Sequence, residues 1–308
     1  MRNPKKLYEI APEVAAEITA SGGAPVLLHA VRGFVDSGSV AQVVTDHLAS
    51  VFESRRLATF EIDELIDYRS RRPAMTFASS TWADVEEHEL AIDLLVDDAG
   101  TPFLLLHGLE PDTQWERFVA AVRQIVERFD VSLVAGVHGI PMAVPHTREL
   151  SATVHGTRPE LVADFPSWFG TVQVPGSVAS LLELRLGEAG LDAVGVAVHV
   201  PHYLSASTYP AAAVTGLDYL ERLSGLDLAR LELEPAVLRA AEEVERQLSE
   251  SDEALEVVQA LENQYDAFRR GTEGESMLAE GADIPTAEEL GARFEQFLAQ
   301  QRQDPGSQ

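Results

Sequence analysis

The sequence has 308 residues, of which 45% are hydrophobic, with 50 acidic and 23 basic side chains. The length allows one large or two modest domains, and the apolar content is sufficient for a substantial core. A formal net charge of −27 argues against nucleic acid or an anionic membrane as the partner, because phosphates require a basic surface. There is no cysteine, which excludes disulfides, iron–sulfur clusters and thiol catalysis. No apolar run reaches membrane-spanning length and no signal-peptide core follows the N-terminus, so a cytoplasmic protein is expected.

Four apolar runs have the pattern of strands that are buried on both faces, and each is predicted to end in a histidine. These histidines are His29, His107, His138 and His199. Strands buried on both faces are typical of parallel sheets covered by helices. In such sheets, ligands bind outside the carboxyl ends of the strands. The sequence therefore predicts a pocket at this edge, but it leaves open which of the four strands are neighbours.

Strand and helix patterns alternate through roughly the first two thirds of the chain. Residues 90–96 and 103–107 are predicted to form a hairpin around an Asp-Asp-Ala-Gly turn. Thr113 and Glu116 have the spacing of a capping box, which predicts the start of a helix. Residues 171–174 are expected to form a short strand. Acids that precede the capping box, Glu110 among them, are interpreted as stabilising the N-terminus of that helix.

The pattern changes after Gly225. Residues 1–225 are predicted to form an α/β core domain, and residues 226–308 an acidic helical extension. Residues 241–308 hold 17 acidic and 5 basic side chains. Within the extension, residues 271–285 are rich in glycine and acids and are predicted to be a mobile linker before a last amphipathic helix.

The loop of residues 33–38 follows the first buried strand and precedes a helix. Its two glycines allow close approach of a ligand, and a helix N-terminus offers free N–H groups to an anion. The loop is neither a Walker A sequence nor a dinucleotide fingerprint, and its aspartate would repel a phosphate. A tight turn in which Asp36 or Ser37 caps the helix is therefore the preferred interpretation. Four residues remain candidates for the pocket: Arg32, Gly33, Asp36 and Gly38.

A second loop is made rigid by two prolines and a glycine, and it presents His138, His146 and Arg148. Arg148 can bind a carboxylate or phosphate in bidentate fashion, or it can satisfy loop carbonyls, and the two interpretations stay open. His199 and His202 lack the further ligands that a zinc site needs, so hydrogen bonds to the loop backbone are preferred. No metal and no cofactor are predicted. The complete candidate pocket comprises Arg32, Gly33, Asp36, Gly38, His107, His138, His146, Arg148, His199 and His202.

Several short motifs, taken in this order, resemble the proteasome-assembly-chaperone-type superfamily. They are Gly33-x-x-Asp36-x-Gly38, Pro141-Met-Ala-Val-Pro-His-Thr-Arg148, Val174-Pro-Gly-Ser-Val-Ala179 and Val200-Pro-His-Tyr203. More narrowly, the chain is similar over nearly its whole length to an actinobacterial branch of uncharacterised proteins. The resemblance implies a three-layer αβα fold with a mostly parallel or mixed central sheet, like that of nucleoside phosphorylases and related hydrolases. It also implies a homotrimer, and its eukaryotic members assist proteasome assembly and are not known as enzymes.

Two functions are consistent with the sequence. The preferred one is a non-enzymatic binding or assembly-chaperone-like protein, with proteasome-related components among its expected partners. The alternative is an enzyme of the phosphorylase or hydrolase type that acts on a small anionic or nucleoside-like metabolite. In that alternative Arg148 binds the anion and a histidine acts as acid or base. The chain has no G-x-S-x-G nucleophile elbow, and whether it is an enzyme stays open.

Overall fold

The computed structural model of the chain describes residues 2–166 and 170–273. The chain divides into two compact units, Met1–Glu262 and Asn263–Gln308. The features analysed below lie in the first unit, apart from the end of the last described helix. The predicted domain boundary at residue 225 stays a prediction.

Ten strands are present in the described part of the chain. Eight form one large sheet, and the other two form a separate hairpin. The strands are β1 (Tyr8–Ile10), β2 (Val26–Arg32), β3 (Arg55–Phe60), β4 (Met75–Ala78), β5 (Thr81–Val85), β6 (Leu90–Val96), β7 (Pro102–Leu109), β8 (Leu133–Met142), β9 (Ala152–Gly156) and β10 (Ala193–Pro201).

The large sheet has the strand order β1-β3-β6-β7-β2-β8-β10-β9. Its four central strands, β7, β2, β8 and β10, run parallel to one another. The outer strands pair antiparallel, and β6 and β7 form the predicted hairpin. The central strands are apolar on both sides, as parallel strands covered by helices must be. The four histidine-bearing strands are therefore neighbours.

Helices cover both faces of this sheet. They are α1 (Pro12–Ser21), α2 (Val40–Val51), α3 (Ile62–Leu65), α4 (Trp115–Arg128), α5 (Val178–Glu188), α6 (Pro210–Ser224), α7 (Glu234–Ser249) and α8 (Asp252–Glu273). On one face, called face A, the core is completed by α1, α4 and α5. On the opposite face, called face B, it is completed by α2 and α6, with a contribution from α7. The predicted three-layer fold with a mixed sheet and C-terminal helices is confirmed.

The strand-end positions predicted for the four histidines are wrong. Strand β2 continues beyond His29 to Arg32, and β7, β8 and β10 likewise continue for two or more residues. The glycines and prolines after the histidines do not end the strands, because parallel pairing persists as far as Pro201 opposite Met142. The histidines therefore lie within the sheet rather than at its edge.

Three further local predictions are corrected. Gln114 precedes α4 in the left-handed conformation, and the Thr113 hydroxyl donates to the carbonyl of Glu64, so no capping box forms. Residues 171–174 are not part of a strand. Helix α8 continues through Glu273, so it includes the first residues of the predicted linker. Residues 274–285 and the predicted last helix lie outside the described residues.

Replacing Gly139 by alanine is expected to destabilise the fold by about 2 kcal/mol, the range of an overpacked core site. A Cβ atom at this position would overlap the carbonyl oxygen of Ser37 and lie 3.0 Å from Val40 Cγ2. Urea unfolding measures the change. Gly176→Ala is the matched control, since its Cβ would lie 3.9 Å from its nearest neighbour, Trp115 Cζ3. Equal stability of the two variants would contradict the close approach of β8 to the segment that leads into α2.

Candidate functional site

The loop of residues 33–38 is closed by its own aspartate. The Asp36 carboxylate accepts hydrogen bonds from the N–H of Ala41, at 2.9 and 3.1 Å, and from the N–H of Gly139, at 3.2 Å. Burial raises the pKa of this carboxyl, although the backbone donors oppose the shift. The carboxylate therefore occupies the place at the start of α2 that an anion would take. The residue at the N-cap of α2 is Ser39 rather than the predicted Asp36 or Ser37, but Asp36 still accepts an N–H of the first turn.

Gly38 connects the same loop to the segment after β10 through two backbone hydrogen bonds. Its N–H donates to the carbonyl of Ser205 at 3.0 Å, and its carbonyl accepts from the N–H of Tyr209 at 2.9 Å. Its φ is +70°, and a Cβ would lie 3.2 Å from both Val200 and Tyr209. The glycine is thus required by its conformation and by the packing around it. Backbone hydrogen bonds therefore join the loop after β2 to the segment after β10.

Glu110 is a buried carboxylate that joins three elements, and only 4% of it is exposed. It follows β7, and its oxygens accept from the N–H of Phe34, at 3.1 Å, and of Val178 at the start of α5, at 2.7 Å. Its own N–H donates to the carbonyl of Arg32 at 2.9 Å, while the Arg32 side chain is exposed. A Cβ on Gly33 would overlap the carboxylate. Glu110 therefore stabilises a helix N-terminus, as predicted, but that of α5 rather than α4.

His146 and Arg148 lie on the loop after β8, and both have close neighbours. The His146 N–H donates to the Tyr203 hydroxyl oxygen at 2.8 Å, and His146 Nδ1 lies 2.7 Å from the same oxygen. Burial lowers the pKa of His146 and raises that of Tyr203. Arg148 forms an ion pair at 3.3 Å with Glu262 of α8, which also accepts a hydrogen bond from Thr147. The guanidinium predicted to bind an anion thus has one of the chain's own carboxylates beside it.

The histidines of the central strands point to two different faces of the sheet. His29 is paired in register with Leu106, the residue before His107. Successive residues of a strand point to opposite faces, so His29 and His107 are on opposite sides. The register of β8 and β10 places His138 and His199 on face A together with His29. His107 alone of the four points to face B.

Two glycines make room for imidazoles on face A. Gly136 of β8 and Gly195 of β10 are paired directly in register. A Cβ on Gly136 would overlap the ring of His29, and a Cβ on Gly195 would overlap the ring of His155 from β9. The two rings therefore lie over adjacent backbone positions, approaching from strands on either side. His29, His155 and the neighbouring His138 are called the imidazole cluster below.

Burial keeps two rings of the imidazole cluster, those of His29 and His138, neutral near pH 7. His29 is 7% exposed, and burial lowers its pKa to about 4, with His138 and His155 contributing. Burial also lowers the pKa of His138 to about 4. Neither ring forms a hydrogen bond with any residue of 2–166 or 170–273, whereas His155 Nδ1 lies 2.9 Å from a carboxylate oxygen of Glu183. The neutral rings of His29 and His138 and the Glu183–His155 pair therefore lie together under α5.

His199 lies on the same face but is fully occupied by protein partners. Its Nδ1 is 3.0 Å from the Ser151 hydroxyl, and its Nε2 is 2.8 Å from that of Thr153. Only 2% of the residue is exposed, and burial lowers its pKa to about 4. Both ring nitrogens are used, so His199 has the environment of a structural histidine.

His107 belongs to a separate ion-pair network on face B. Its Nε2 lies 2.9 Å from Asp93, which also pairs with Arg56, and Arg56 reaches Glu89 as well. Burial opposes ionisation of Asp93, but hydrogen bonds from His107 and Arg56 outweigh it and lower the pKa. His202 follows β10, and burial lowers its pKa too.

The ten predicted pocket residues are thus distributed over several places. Arg32, Gly33, Asp36 and Gly38 form the closed loop, and His146, Arg148 and His202 lie nearby in the loops that follow β8 and β10. The other three histidines lie within the sheet. In residues 2–166 and 170–273 no three histidine or acidic side chains converge to hold a metal ion. The assignment of the ten residues as a ligand pocket stays a prediction.

Sequence reasoning missed His155, Glu183 and the joining role of Glu110. The signal for the imidazole cluster was present, because Gly136 and Gly195 interrupt two apolar strands. Glycine inside a strand often marks close approach of another group. The contact of Glu110 with α5 carries no local signal, since it spans 68 positions of the chain.

The fold and these loops define a class: a three-layer α/β protein whose mixed sheet ends in loops closed by its own carboxylates. Within the described part of the chain, no helix has the length and apolar character needed to cross a membrane. Residues 30–251 match the model of the PAC2 family. The chain belongs to the PAC2 family, and the predicted resemblance is confirmed.

Solved structures of similar proteins agree with this assignment. The chain is 43% identical to the Mycobacterium tuberculosis protein of unknown function Rv2714, with a TM-score of 0.81 and coverage of 87% of this chain and 91% of that one. It is 38% identical to a protein of unknown function from Corynebacterium glutamicum, with a TM-score of 0.79 and coverage of 85% and 97%.

A more distant structure shares the fold. The Mycobacterium tuberculosis proteasome-assembly chaperone homologue Rv2125 is 20% identical, with a TM-score of 0.69 and coverage of 76% of this chain and 99% of that one. A comparison with curated proteins gives no significant match.

Acidification is expected to destabilise the sheet through its buried histidines. The pKa of His29 is about 4 in the folded chain and near 6.5 when unfolded, so the unfolded chain binds more protons between these values. Stability contributed by the neutral ring is complete above pH 6.5 and is lost as the pH falls towards 4. At pH 5 the loss is roughly 2 kcal/mol for His29 alone.

Urea unfolding of the wild type and of His29→Gln at pH 7.5 and pH 5 tests this expectation. The variant should lose less stability between the two pH values, because glutamine does not titrate. Identical pH dependence in both proteins would show that His29 does not contribute.

Proposed function

We propose that the protein is a non-enzymatic, chaperone-like binding protein that assists the assembly of proteasome-related components, and that it works as a cytoplasmic homotrimer. Membership of the PAC2 family supports this proposal. So does the likeness in fold to a protein described as a proteasome-assembly chaperone homologue.

The observation that carries the proposal is the way the carboxyl edge of the sheet is filled. An enzyme acting on an anionic metabolite needs free donors there, and the sequence offered the start of α2 and Arg148. Asp36 accepts hydrogen bonds from Ala41 N–H in the first turn of α2 and from Gly139 N–H of β8, and Glu262 pairs with Arg148. Glu110 likewise takes the first N–H of α5. The chain's own carboxylates thus stand where substrate anions would bind, which favours a scaffold over an enzyme.

The enzymatic alternative has a narrower basis. Its best remaining groups are the imidazole cluster and Glu183, which lie on face A, whereas Arg148 lies on the loop after β8. A ring with a pKa of about 4, as at His138, is a weak general base at neutral pH. The alternative would gain support from phosphorolysis or hydrolysis of a nucleoside that is lost in Arg148→Ala and His138→Ala.

Self-association is supported by the exposed hairpin of β4 and β5. Met75, Phe77, Trp82 and Val85 are between 39% and 65% exposed. The register sets Met75 opposite Val85 and Phe77 opposite Trp82, with a bulge in β5 between the two pairs, so all four side chains share one face. A two-stranded hairpin is marginally stable alone in water, and an apolar patch of this kind typically marks an interface. We assign this face to contacts between copies of the chain.

Replacing both aromatic residues of this hairpin, in the variant Phe77→Ser/Trp82→Ser, is expected to convert the trimer into monomers. The interface would lose its two largest apolar side chains, which usually dominate binding energy. Light scattering after gel filtration should give three times 33.5 kDa for the wild type and 33.5 kDa for the variant. Leu231→Ser is the control, because this residue is 70% exposed elsewhere on the surface and should not affect the mass. A monomeric wild type would refute the trimer.

The chaperone role is tested with purified proteasome α and β subunits from the organism that encodes the chain. The protein should form a complex with α subunits on gel filtration and increase the rate at which complete particles assemble. It should be absent from the finished particle. An unchanged assembly rate together with no complex would refute the proposed partner.

A further inference from the structure

The outermost strand β1 presents an open edge of the large sheet. It pairs with β3 alone, and nothing else in the described part of the chain pairs with it. Backbone hydrogen bonds to the neighbouring chain segment are made on either side of β1: Glu61 N–H donates to the carbonyl of Leu7, and Ala11 N–H donates to the carbonyl of Leu57. In an antiparallel pair, only every second residue of a strand forms hydrogen bonds with the partner strand. The N–H and C=O groups of Tyr8 and Ile10 therefore point away from β3.

A groove runs along this edge, between β1 and α4. Its volume is about 520 Å³, and it is lined by Lys5, Tyr8, Ile10, Gln124, Glu127 and Arg128. The side chains of Tyr8 and Ile10 pack against the core of face A and supply an apolar floor. The Tyr8 hydroxyl lies 3.4 Å from Gln124 Oε1 on the opposite wall. The volume lies within the range typical of ligand sites.

The groove is cationic although the chain as a whole carries a net charge of −27. Its one acid, Glu127, is paired at 3.3 Å with Arg123 on the same helix. Lys5 and Arg128 have no carboxylate within ion-pair distance among residues 2–166 and 170–273. Lys5 and Lys6 are also the only lysines in the sequence. Two positive charges thus face an edge with free backbone donors and acceptors.

We propose that this groove binds an extended peptide segment with acidic side chains, which adds to the sheet as a strand beside β1. The outward N–H and C=O groups of Tyr8 and Ile10 supply the main-chain hydrogen bonds of strand addition. A small anion would use only the N–H groups. Successive side chains of an added strand point to opposite faces, so glutamates at every second position reach Lys5 and Arg128, while the side chains between them face solvent. The site is separate from the hairpin and from the carboxyl edge, and it does not depend on the proposed function.

The experiment uses the full chain and a blocked, fluorescein-labelled hexapeptide of alternating threonine and glutamate. Fluorescence polarisation at low salt should show saturable binding, and a peptide of alternating threonine and lysine should not bind. Hydrogen exchange followed by NMR should show new protection of the Tyr8 and Ile10 amides in the complex. Failure of the acidic peptide to bind, or equal binding of the basic peptide, would overturn the proposal.

Charge variants separate the site from a general electrostatic effect. Lys5→Glu/Arg128→Gln should weaken binding by about fivefold or more, as expected for two exposed ion pairs. Lys6→Glu is the matched control, since Lys6 carries the same charge next in sequence but does not line the groove. Its affinity should stay within about twofold of wild type, because general screening acts on both lysines alike. Equal losses in both variants would overturn the proposal.

A backbone variant tests strand addition directly. Ile10→Pro removes an outward N–H that makes no bond to β3, and proline is tolerated at such edge positions. Binding should weaken while urea unfolding stays close to wild type. Unchanged binding would overturn strand addition. A further adverse result is protection of the Tyr8 and Ile10 amides that rises with the protein concentration when no peptide is present. That result would identify a second copy of the chain as the occupant of the groove, and it would also overturn the proposal.

Discussion

Burial of four parallel strands on both faces is the constraint on which the rest of this structure depends. Strands β7, β2, β8 and β10 have no solvent-facing side, so helices must cover both faces and the chain must cross over between successive strands. The carboxyl ends of these strands then lie together at one edge. Loops from distant parts of the sequence meet there, and their polar groups must find partners within the protein.

Those partners are carboxylates of the chain itself. Asp36 binds the N–H groups of Ala41 and Gly139, and Glu110 binds those of Phe34 and Val178. A buried carboxylate is stable only where several donors compensate for its loss of hydration. Here the donors are backbone N–H groups in the first turns of α2 and α5, in β8 and in the loop after β2, so the polar groups at this edge have partners within the protein. In enzymes with this kind of sheet, the ligand binds at this edge. Here the chain's own carboxylates stand at that place, so the proposed binding role is sought on the outer surfaces of the molecule.

The outer surfaces have features suited to such a role. The sheet ends in a short open strand, β1, beside a cationic groove, and the β4–β5 hairpin presents an apolar face. Face A contains a different kind of feature, in which Gly136 and Gly195 admit the rings of His29 and His155. Burial keeps the ring of His29 neutral near pH 7, so acidification is expected to lower the stability of the fold. These features lie in separate parts of the molecule and can be altered independently.

The sequence by itself determined the alternation of strands and helices, the burial of the central strands under helices and the β6–β7 hairpin. Each of these follows from hydrophobic period or turn chemistry, which act over a few residues. It also indicated the family through motifs in a fixed order. Only the tertiary structure decided the strand order, the faces on which the histidines point and the partners of Arg148 and Glu110. Those depend on register, where a shift of one residue moves a side chain to the other face, and on contacts between residues tens of positions apart.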